Sequence, residues 1–252
     1  MVIVGAKMNI GVLALQGAFI EHLNIIKKLN HNAVEVRLPQ QLNEISGLII
    51  PGGESTTIGK LALMYNFIEP LKNFALHKPI WGTCAGMIFL AKKIDFDNQP
   101  LLGVMDIEVH RNAFGRQVDS FQTDLQIPAI KNGLTEPFPG IFIRAPVVKN
   151  INGKAKALSY LKDGSIIAVQ ENLMIATSFH PELTDDFRFH QYFLEIIENN
   201  FYGGVSERIG RSGRSGQSGR SGQSGQSGQS GRSGQSGQSG RSGQSGQSGL
   251  KR

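Results

Sequence analysis

The chain has 252 residues, with 26 Lys and Arg against 20 Asp and Glu, and its composition changes sharply near residue 206. Seven Arg and one Lys lie in residues 208–252, which hold no acidic residue, so residues 1–207 carry 18 basic and 20 acidic residues. The basic character of the whole chain therefore gives no indication that this N-terminal part binds nucleic acid or a membrane surface, and the spaced arginines of the tail support nucleic-acid binding only weakly.

One cysteine excludes an internal disulfide. Because the sequence shows no signal-like segment and no apolar run of about 18 residues, it predicts a cytoplasmic protein without a membrane role.

The C-terminal tail has glycine at every third position from residue 210 to residue 249, with only Arg, Gln and Ser between. It contains no apolar side chain there, so it cannot bury enough surface to offset the entropy of ordering. We predict one globular domain at residues 1–202 and a disordered, low-complexity tail at residues 203–252. Collagen has the same glycine spacing, but these triplets contain no proline, on which collagen relies, so a collagen helix is the weaker alternative.

The first half of the chain predicts strands that alternate with helices. Residues 9–15 form an apolar run typical of a strand that is buried on both faces, and residues 18–29 have apolar side chains at helical spacing. Further predicted elements are strands at 33–38, 47–50 and 79–82, an amphipathic helical region that follows residues 51–57 and runs to about residue 76, and a helix at 85–92. This alternation predicts βαβ units, with the ligand crevice at the carboxyl ends of the strands.

The second half of the chain predicts short strands that are separated by turn residues. These strands are expected at residues 102–110, 121–127, 140–143, 155–161, 165–170 and 173–178. Residues 186–199 carry a helical apolar stripe, so the last predicted helix should pack back on the sheet.

The only cysteine, Cys84, lies in Gly82-Thr83-Cys84-Ala85-Gly86, between a strand-like run and a helix-like run. The two glycines allow the sharp turn of a nucleophile elbow, which leaves the central side chain exposed. The start of the following helix favours a thiolate, the form of cysteine that attacks carbonyl groups. A lone cysteine is more often a small buried apolar residue, but the flanking glycines favour a nucleophile.

His180 and Glu182 supply a base and a carboxylate in the segment Phe179-His180-Pro181-Glu182-Leu183. Because they are two residues apart, both side chains point to the same face of an extended segment. Glu182 can then accept the proton of one imidazole nitrogen and leave the other nitrogen to face a thiol. An exposed His-Glu pair before a helix is the alternative, and the presence of Cys84 favours acyl-transfer chemistry.

The segment Pro51-Gly52-Gly53-Glu54-Ser55-Thr56 follows a buried strand and opens a helix. It is consistent with an ordinary turn that ends in a helix cap, and it lacks the Gly-Lys-Ser/Thr ending of a phosphate loop. With the elbow nearby, it predicts an oxyanion hole in which Gly53 and Ala85 donate backbone N–H groups. Five other histidines show no metal-ligand spacing, namely His22, His31, His77, His110 and His190.

Taken together, these motifs resemble the class I glutamine amidotransferases, and among them the glutaminase subunits of pyridoxal 5′-phosphate synthase. The resemblance covers roughly residues 9–200. It rests on residues 11–17, Pro51-Gly52-Gly53-Glu54-Ser55-Thr56-Thr57, the Cys84 elbow, His110-Arg111-Asn112-x-Phe114-Gly115, Phe142-Ile143-Arg144-Ala145-Pro146 and the His180 segment. The Glu-Ser-Thr-Thr, His-Arg-Asn and Ile-Arg-Ala-Pro segments point to the vitamin B6 branch.

The resemblance implies an α/β fold in three layers, with an open, mixed, flavodoxin-like sheet flanked by helices. It also implies that Cys84 attacks the carboxamide of L-glutamine, that His180 transfers protons, and that Glu182 orients His180, with release of glutamate and ammonia. Neither a cofactor nor a metal is implied. The residues to which the resemblance assigns substrate binding are Gly53, Glu54, Ser55, Arg111, Ile143 and Arg144.

The family passes ammonia to a separate, barrel-shaped synthase subunit in a large hetero-oligomer, which makes pyridoxal 5′-phosphate from a pentose phosphate and a triose phosphate. The resemblance implies that the glutaminase becomes competent on docking, when the oxyanion peptide, here Gly52-Gly53, rearranges. Two alternatives stay open. One is another cysteine hydrolase, or a stress-response protein, with the same elbow, and the other is a non-catalytic regulatory partner of the synthase.

Overall fold

The structure, a computed structural model, describes residues 7–95, 99–111 and 120–212, with side chains as far as residue 201. Three residues of the predicted His-Arg-Asn segment, Asn112, Phe114 and Gly115, lie outside the described residues. The predicted disordered tail also lies outside them from residue 213 onward. The described residues all belong to one compact unit.

Twelve strands and five α-helices are present in the described residues. The strands are β1 (Asn9–Leu13), β2 (Asn32–Val36), β3 (Gly47–Ile50), β4 (Ile80–Thr83), β5 (Ala91–Ile94), β6 (Met105–His110), β7 (Ser120–Leu125), β8 (Phe138–Ile143), β9 (Val147–Ile151), β10 (Lys156–Tyr160), β11 (Ile166–Glu171) and β12 (Met174–Thr177). The helices are α1 (Phe19–Lys28), α2 (Ser55–Met64), α3 (Ile68–His77), α4 (Ala85–Leu90) and α5 (Arg188–Ser212). Two short 3₁₀ helices, Pro39–Glu44 and Pro181–Leu183, complete the set.

Ten of these strands form one mixed sheet, and β7 and β8 form a separate antiparallel pair. The order in the large sheet is β2-β1-β3-β4-β12-β11-β9-β6-β5, with β10 beside β11. The first five strands of this order run parallel, and the direction changes at β11. Three of these parallel strands, β3, β4 and β12, are buried along their whole length, as expected of strands that are covered on both faces.

Helices cover both faces of the sheet, and each face has its own apolar core. On one face, α2, α3 and α4 contribute side chains such as Ile58, Leu71 and Phe89. On the other face, α1 and α5 contribute side chains such as Ile26 and Phe193, which pack beside the β7–β8 pair. This is the predicted three-layer α/β arrangement around an open mixed sheet, and the prediction is confirmed.

Several element boundaries differ from those predicted. The helical region after residue 54 is two helices, because Asn66 takes a left-handed conformation with φ 59° between α2 and α3. The helix predicted at residues 85–92 ends at Leu90 and passes directly into β5, and β9 was not predicted. The last helix begins at Arg188 and ends at Ser212, so it includes ten residues, 203–212, that the sequence assigned to the tail. None of the described helices is both long enough and apolar enough to span a bilayer.

Candidate active site

Three neighbouring parallel strands bring the predicted catalytic segments together. The sheet order places β3, β4 and β12 side by side. Their carboxyl ends lead to Gly52, Cys84 and His180 respectively, so these three residues meet at one edge of the sheet although they are far apart in sequence. The Cys84 N–H donates to the Thr177 carbonyl at 2.7 Å, which fixes the elbow against the end of β12.

The elbow at Cys84 is as tight as the flanking glycines predict. Cys84 has φ 48° and ψ −102°, a conformation that L-residues adopt only under constraint. A Cβ at Gly86 would lie 2.2 Å from the Ile50 carbonyl oxygen, and a Cβ at Gly82 would lie 2.6 Å from the Gly86 backbone. The sequence predicts an exposed central side chain, but Cys84 is only 7% exposed because it lies at the floor of a cavity.

His180 and Glu182 form a buried pair behind the cysteine. The His180 Nδ1 lies 2.8 Å from Glu182 Oε1, and His180 and Cys84 line the same cavity. The Glu182 side chain is completely buried. The backbone of His180 is also held in place, because its backbone N–H donates to the Ile141 carbonyl of β8 at 2.8 Å.

The surroundings of this pair shift both pKa values in the directions that favour charge. Burial lowers the pKa of His180, but its hydrogen bonds and attraction to Cys84 and Glu182 outweigh burial and raise that pKa to about 10. Burial raises the pKa of the Glu182 carboxyl, but its interactions with His22 and His180 outweigh burial and lower that pKa. An imidazolium and a carboxylate therefore face each other at neutral pH.

A cavity of about 260 Å³ opens above Cys84. Pockets for drug-sized ligands are usually larger, so this volume suits a small metabolite. All predicted site residues except Glu182 line it, and Ile88 joins them. The predicted residues at its wall are Gly53, Glu54, Ser55, Cys84, Ala85, Arg111, Ile143, Arg144 and His180.

The two predicted oxyanion donors border this cavity. Ala85 is the first residue of α4, a position whose N–H has no partner within the helix. The Gly53 N–H donates to no acceptor within the described part of the chain. The preceding Gly52 carbonyl accepts the Ala18 N–H at 3.1 Å, and the Gln16 side chain accepts the Glu54 N–H at 3.1 Å, so the glycine peptide is held from the segment before α1.

Glu54 and Arg111 form a charged wall of the cavity. Glu54 caps α2 by accepting the N–H groups of Thr56 and Thr57, and the hydroxyl of Thr57 donates to the same carboxylate. Slight burial raises the pKa of Glu54, but these hydrogen bonds outweigh it and lower the pKa to about 2. Arg111 Nη2 lies 3.6 Å from Glu54 Oε1, and Arg111 Nη1 donates to the Gln99 side-chain oxygen at 3.0 Å.

Ile143 and Arg144 reach the cavity from the end of β8. Arg144 has φ 45°, and Cys84 Sγ lies 3.9 Å from the Ile143 carbonyl. Among the described residues, six other than glycine have a positive φ, and four of these are asparagines, which tolerate it. The remaining two, Cys84 and Arg144, both line the cavity, so the backbone strain is concentrated at the candidate site.

Sequence reasoning missed four residues that support the site. Ile88 lies one helical turn after Cys84, a spacing that could have predicted it. Gln16, Gln99 and His22 support the site through contacts that bridge distant parts of the sequence, and no local spacing relates them to Cys84. In the part of the chain that the structure describes, no cluster of three or more His, Cys, Asp or Glu could hold a metal ion.

A family model for the SNO glutamine amidotransferases matches residues 12–199. The chain belongs to this family. The predicted family membership is therefore confirmed, and the match includes Cys84, His180 and Glu182. A second model, for the collagen triple helix repeat, matches residues 204–251, which reflects the glycine at every third position of the tail.

Similar proteins and structures agree with this family assignment. The chain is 52% identical over 191 residues to a "Pyridoxal 5'-phosphate synthase subunit PdxT" of Herpetosiphon aurantiacus, with 74% of this chain and 99% of the relative covered. It is 55% identical over 193 residues to a protein of the same description from Dehalococcoides mccartyi strain CBDB1, with 75% and 97% covered.

Two solved structures are also similar. One is a glutamine amidotransferase, with 45% identity, a TM-score of 0.70, and coverage of 75% of this chain and 98% of that chain. The other is PurLQS from Thermotoga maritima, with 15% identity, a TM-score of 0.56, and coverage of 77% and 99%. At that low identity the second similarity concerns the fold alone.

Proposed function

We propose that Cys84, His180 and Glu182 are the catalytic triad with which this chain hydrolyses L-glutamine. The chain is a glutaminase subunit that supplies ammonia for the synthesis of pyridoxal 5′-phosphate. The observation that supports the triad best is that Cys84 and His180 line one cavity, while Glu182 Oε1 lies 2.8 Å from His180 Nδ1 and is buried. The cavity suits one small substrate.

In the first half of the reaction, the Cys84 thiolate attacks the carboxamide carbon of glutamine. The N–H groups of Gly53 and Ala85 stabilise the negative oxygen that forms. When the C–N bond breaks, the protonated His180 transfers its proton to the leaving nitrogen, and ammonia departs. The glutamyl group remains on Cys84 as a thioester.

In the second half, His180 acts as a base. It takes a proton from water as the water oxygen attacks the thioester carbon, and the same oxyanion donors act again. Collapse of this intermediate breaks the C–S bond and releases glutamate, which restores the thiolate and the protonated His180. Glu182 stays ionised and keeps His180 Nδ1 occupied, so that the other ring nitrogen faces the reaction.

The charged wall of the cavity suits the amino-acid end of glutamine. We assign substrate binding to Gly53, Glu54, Ser55, Arg111, Ile143 and Arg144. The two arginines can attract the α-carboxylate, and Glu54 stays anionic because its pKa is about 2, so it can attract the α-ammonium group. The carboxamide end would then point to Cys84, which lies at the floor of the same cavity.

The synthase subunit is the partner that uses the ammonia. The relatives' description as synthase subunits supports this partnership, and the barrel shape of the partner and the large hetero-oligomer are proposed on the resemblance alone. The single thiol supports a reducing, cytoplasmic setting. Neither another kind of cysteine hydrolase nor a stress-response protein needs Glu54, Arg111 and Arg144 around the elbow.

The test is glutaminase activity of single-residue variants, measured with the synthase subunit present. Cys84→Ala should abolish ammonia release, and His180→Asn should reduce kcat by about 10³-fold or more. Glu182→Gln should cost less, because the base it orients is still present. A Cys84→Ala variant that keeps most of its activity would rule out the nucleophile assignment, and normal turnover in Glu182→Gln would remove that residue from the triad.

A regulatory role without catalysis is tested by the same variants. If the chain acts only by docking, Cys84→Ala should support synthesis of pyridoxal 5′-phosphate from glutamine as well as the unaltered chain does. We expect that variant instead to support synthesis only when ammonium salt replaces glutamine, because docking is intact and only the ammonia supply is lost.

A further inference from the structure

The triad does not end at Glu182, because a pair of completely buried histidines lies directly behind it. His22 of α1 has Nε2 3.4 Å from Glu182 Oε2. Its other ring nitrogen, Nδ1, lies 3.0 Å from Nε2 of His190 on α5. The relative exposure of His22 is 0% and that of His190 is 2%, so water does not compete for these contacts.

Glu182 needs a second donor that the triad does not provide. His180 serves only Oε1, and among the described residues Oε2 has no hydrogen-bond partner within ordinary hydrogen-bond geometry. A buried carboxylate oxygen without a donor is costly. His22 Nε2, which also has no such partner there, is the polar atom that faces it, and at 3.4 Å a small reorientation of the imidazole would align the two atoms for a hydrogen bond.

The negative charge of Glu182 also selects the tautomer of His22. If the proton is on Nδ1, the lone pair of Nε2 faces the carboxylate and repels it. If the proton is on Nε2, it is donated to Oε2, and Nδ1 is free to accept the Nε2 proton of His190 at 3.0 Å. Burial lowers the pKa of both His22 and His190, so both rings are neutral and each has one proton to donate.

Trp81 fixes the two rings in place. It meets the His22 ring at 5.7 Å and the His190 ring at 4.9 Å between centroids, both edge to face. Its own N–H donates to the Thr177 hydroxyl at 3.1 Å, at the end of the strand that leads to His180. A rigid aromatic side chain thus holds the pair against the triad.

From these contacts we propose that His22 is a positioning residue for the glutaminase reaction, which donates Nε2–H to Glu182 and is itself oriented by His190. The proposal rests on the function argued above, since a positioning role requires that Glu182 orient the catalytic histidine. His22 does not touch the substrate cavity. Its loss should therefore lower kcat and leave KM unchanged.

Three substitutions in α1 test the role. In His22→Met the ring is replaced by an apolar side chain of similar size, so the donor is lost, and we expect kcat to fall about tenfold or more. In His22→Gln an N–H is kept near the position of Nε2, so most of kcat should return. Ile26→Ala, in the same helix and the same core, is the matched control that lowers stability without reaching the triad.

An unchanged kcat in a folded His22→Met variant would overturn the proposal. Equal losses of kcat in the Met and Gln variants would also overturn it, because they would indicate that His22 acts through packing alone. A direct measurement needs no variant and no activity. Imidazole ¹⁵N chemical shifts of the unaltered chain should show His22 and His190 neutral and protonated at Nε2. A His22 ring that is protonated at Nδ1 would refute the proposal even if the chain proves to be an active glutaminase.

Discussion

Gly52 lies so close to His180 that no side chain fits at this position. A Cβ there would lie 2.5 Å from His180 Cε1 and 3.5 Å from Cys84 Cβ. Gly52→Ala should displace the imidazole from its place between Cys84 and Glu182. A displacement of about 1 Å in a catalytic group can cost about 10²-fold in rate, so we expect a loss of that size in kcat.

The measurement is steady-state ammonia release with the synthase subunit, together with the melting temperature. Gly164→Asn is the control, because nothing lies within 4 Å of a Cβ built at Gly164 and asparagine tolerates its φ of 85°. The control should keep full activity. Normal turnover in Gly52→Ala would mean that the close approach to His180 has no role in positioning it.

His180 also makes stability depend on pH. Its pKa is raised in the folded chain from an ordinary 6.5 to about 10, so between these values His180 keeps a proton in the folded chain that it loses in the unfolded chain. The stabilisation is fully present below pH 6.5 and is lost as the pH rises through about 10. Cys84→Ala removes one cause of the raised pKa, so the fall in stability across this window should become smaller.

Denaturant midpoints of the unaltered chain and of Cys84→Ala across that window check this linkage. A variant whose stability falls with pH as steeply as that of the unaltered chain would show that Cys84 does not raise the pKa of His180. Apart from Cys84 itself, the two chains carry the same titratable groups, so differences elsewhere in the protein cancel.

At the scale of elements, the strands near the site were the most predictable part of the fold. Four strands are predicted before Cys84 and four are present, and β3 has the predicted bounds Gly47–Ile50. The elbow and the His180–Glu182 pair were predictable because each is one local segment with its own chemistry. That all these segments meet depends on β12 pairing with β4, which no local pattern specifies.

The elements that were missed have identifiable causes. The sequence predicts a helical region up to about residue 76 without a break in it, because the spacing of apolar residues does not show that Asn66 adopts φ 59° after α2. The α4 helix is only six residues long, and β5 follows it without a loop, so the apolar run looked like one longer helix. His22 lies in the buried stripe of α1, where a histidine has no distinctive pattern, so only the tertiary contact to Glu182 shows its importance.

At the scale of the whole molecule, we propose that the globular domain does not need the tail. The composition of residues 213–252 offers no apolar surface apart from Leu250, so deletion of these residues should leave the melting temperature and glutaminase turnover almost unchanged. The deletion starts after Ser212 because α5 extends to that residue. Limited proteolysis should remove the tail first.

A fall of several degrees in melting temperature on this deletion would show that the tail packs on the domain. The collagen-like alternative is supported by the glycine period and by the family match to residues 204–251. It predicts that the unaltered chain sediments as a trimer and that the deletion variant does not.

The last prediction concerns the synthase partner, and it is that the isolated chain is a poor glutaminase. The Gly52-Gly53 peptide is held by the Ala18 N–H and borders the segment of residues 16–18 that opens α1, so a partner that contacts this segment can change the direction of the Gly53 N–H. One oxyanion donor is worth about 10²–10³ in rate, so adding the synthase subunit should raise kcat by that factor.

Gating of this kind prevents loss of ammonia, which would be protonated in water and lost as a nucleophile. Ammonia release is measured for the chain alone and with increasing synthase subunit. Full activity of the isolated chain, with no increase at saturating partner, would reject gating and favour a free-standing hydrolase.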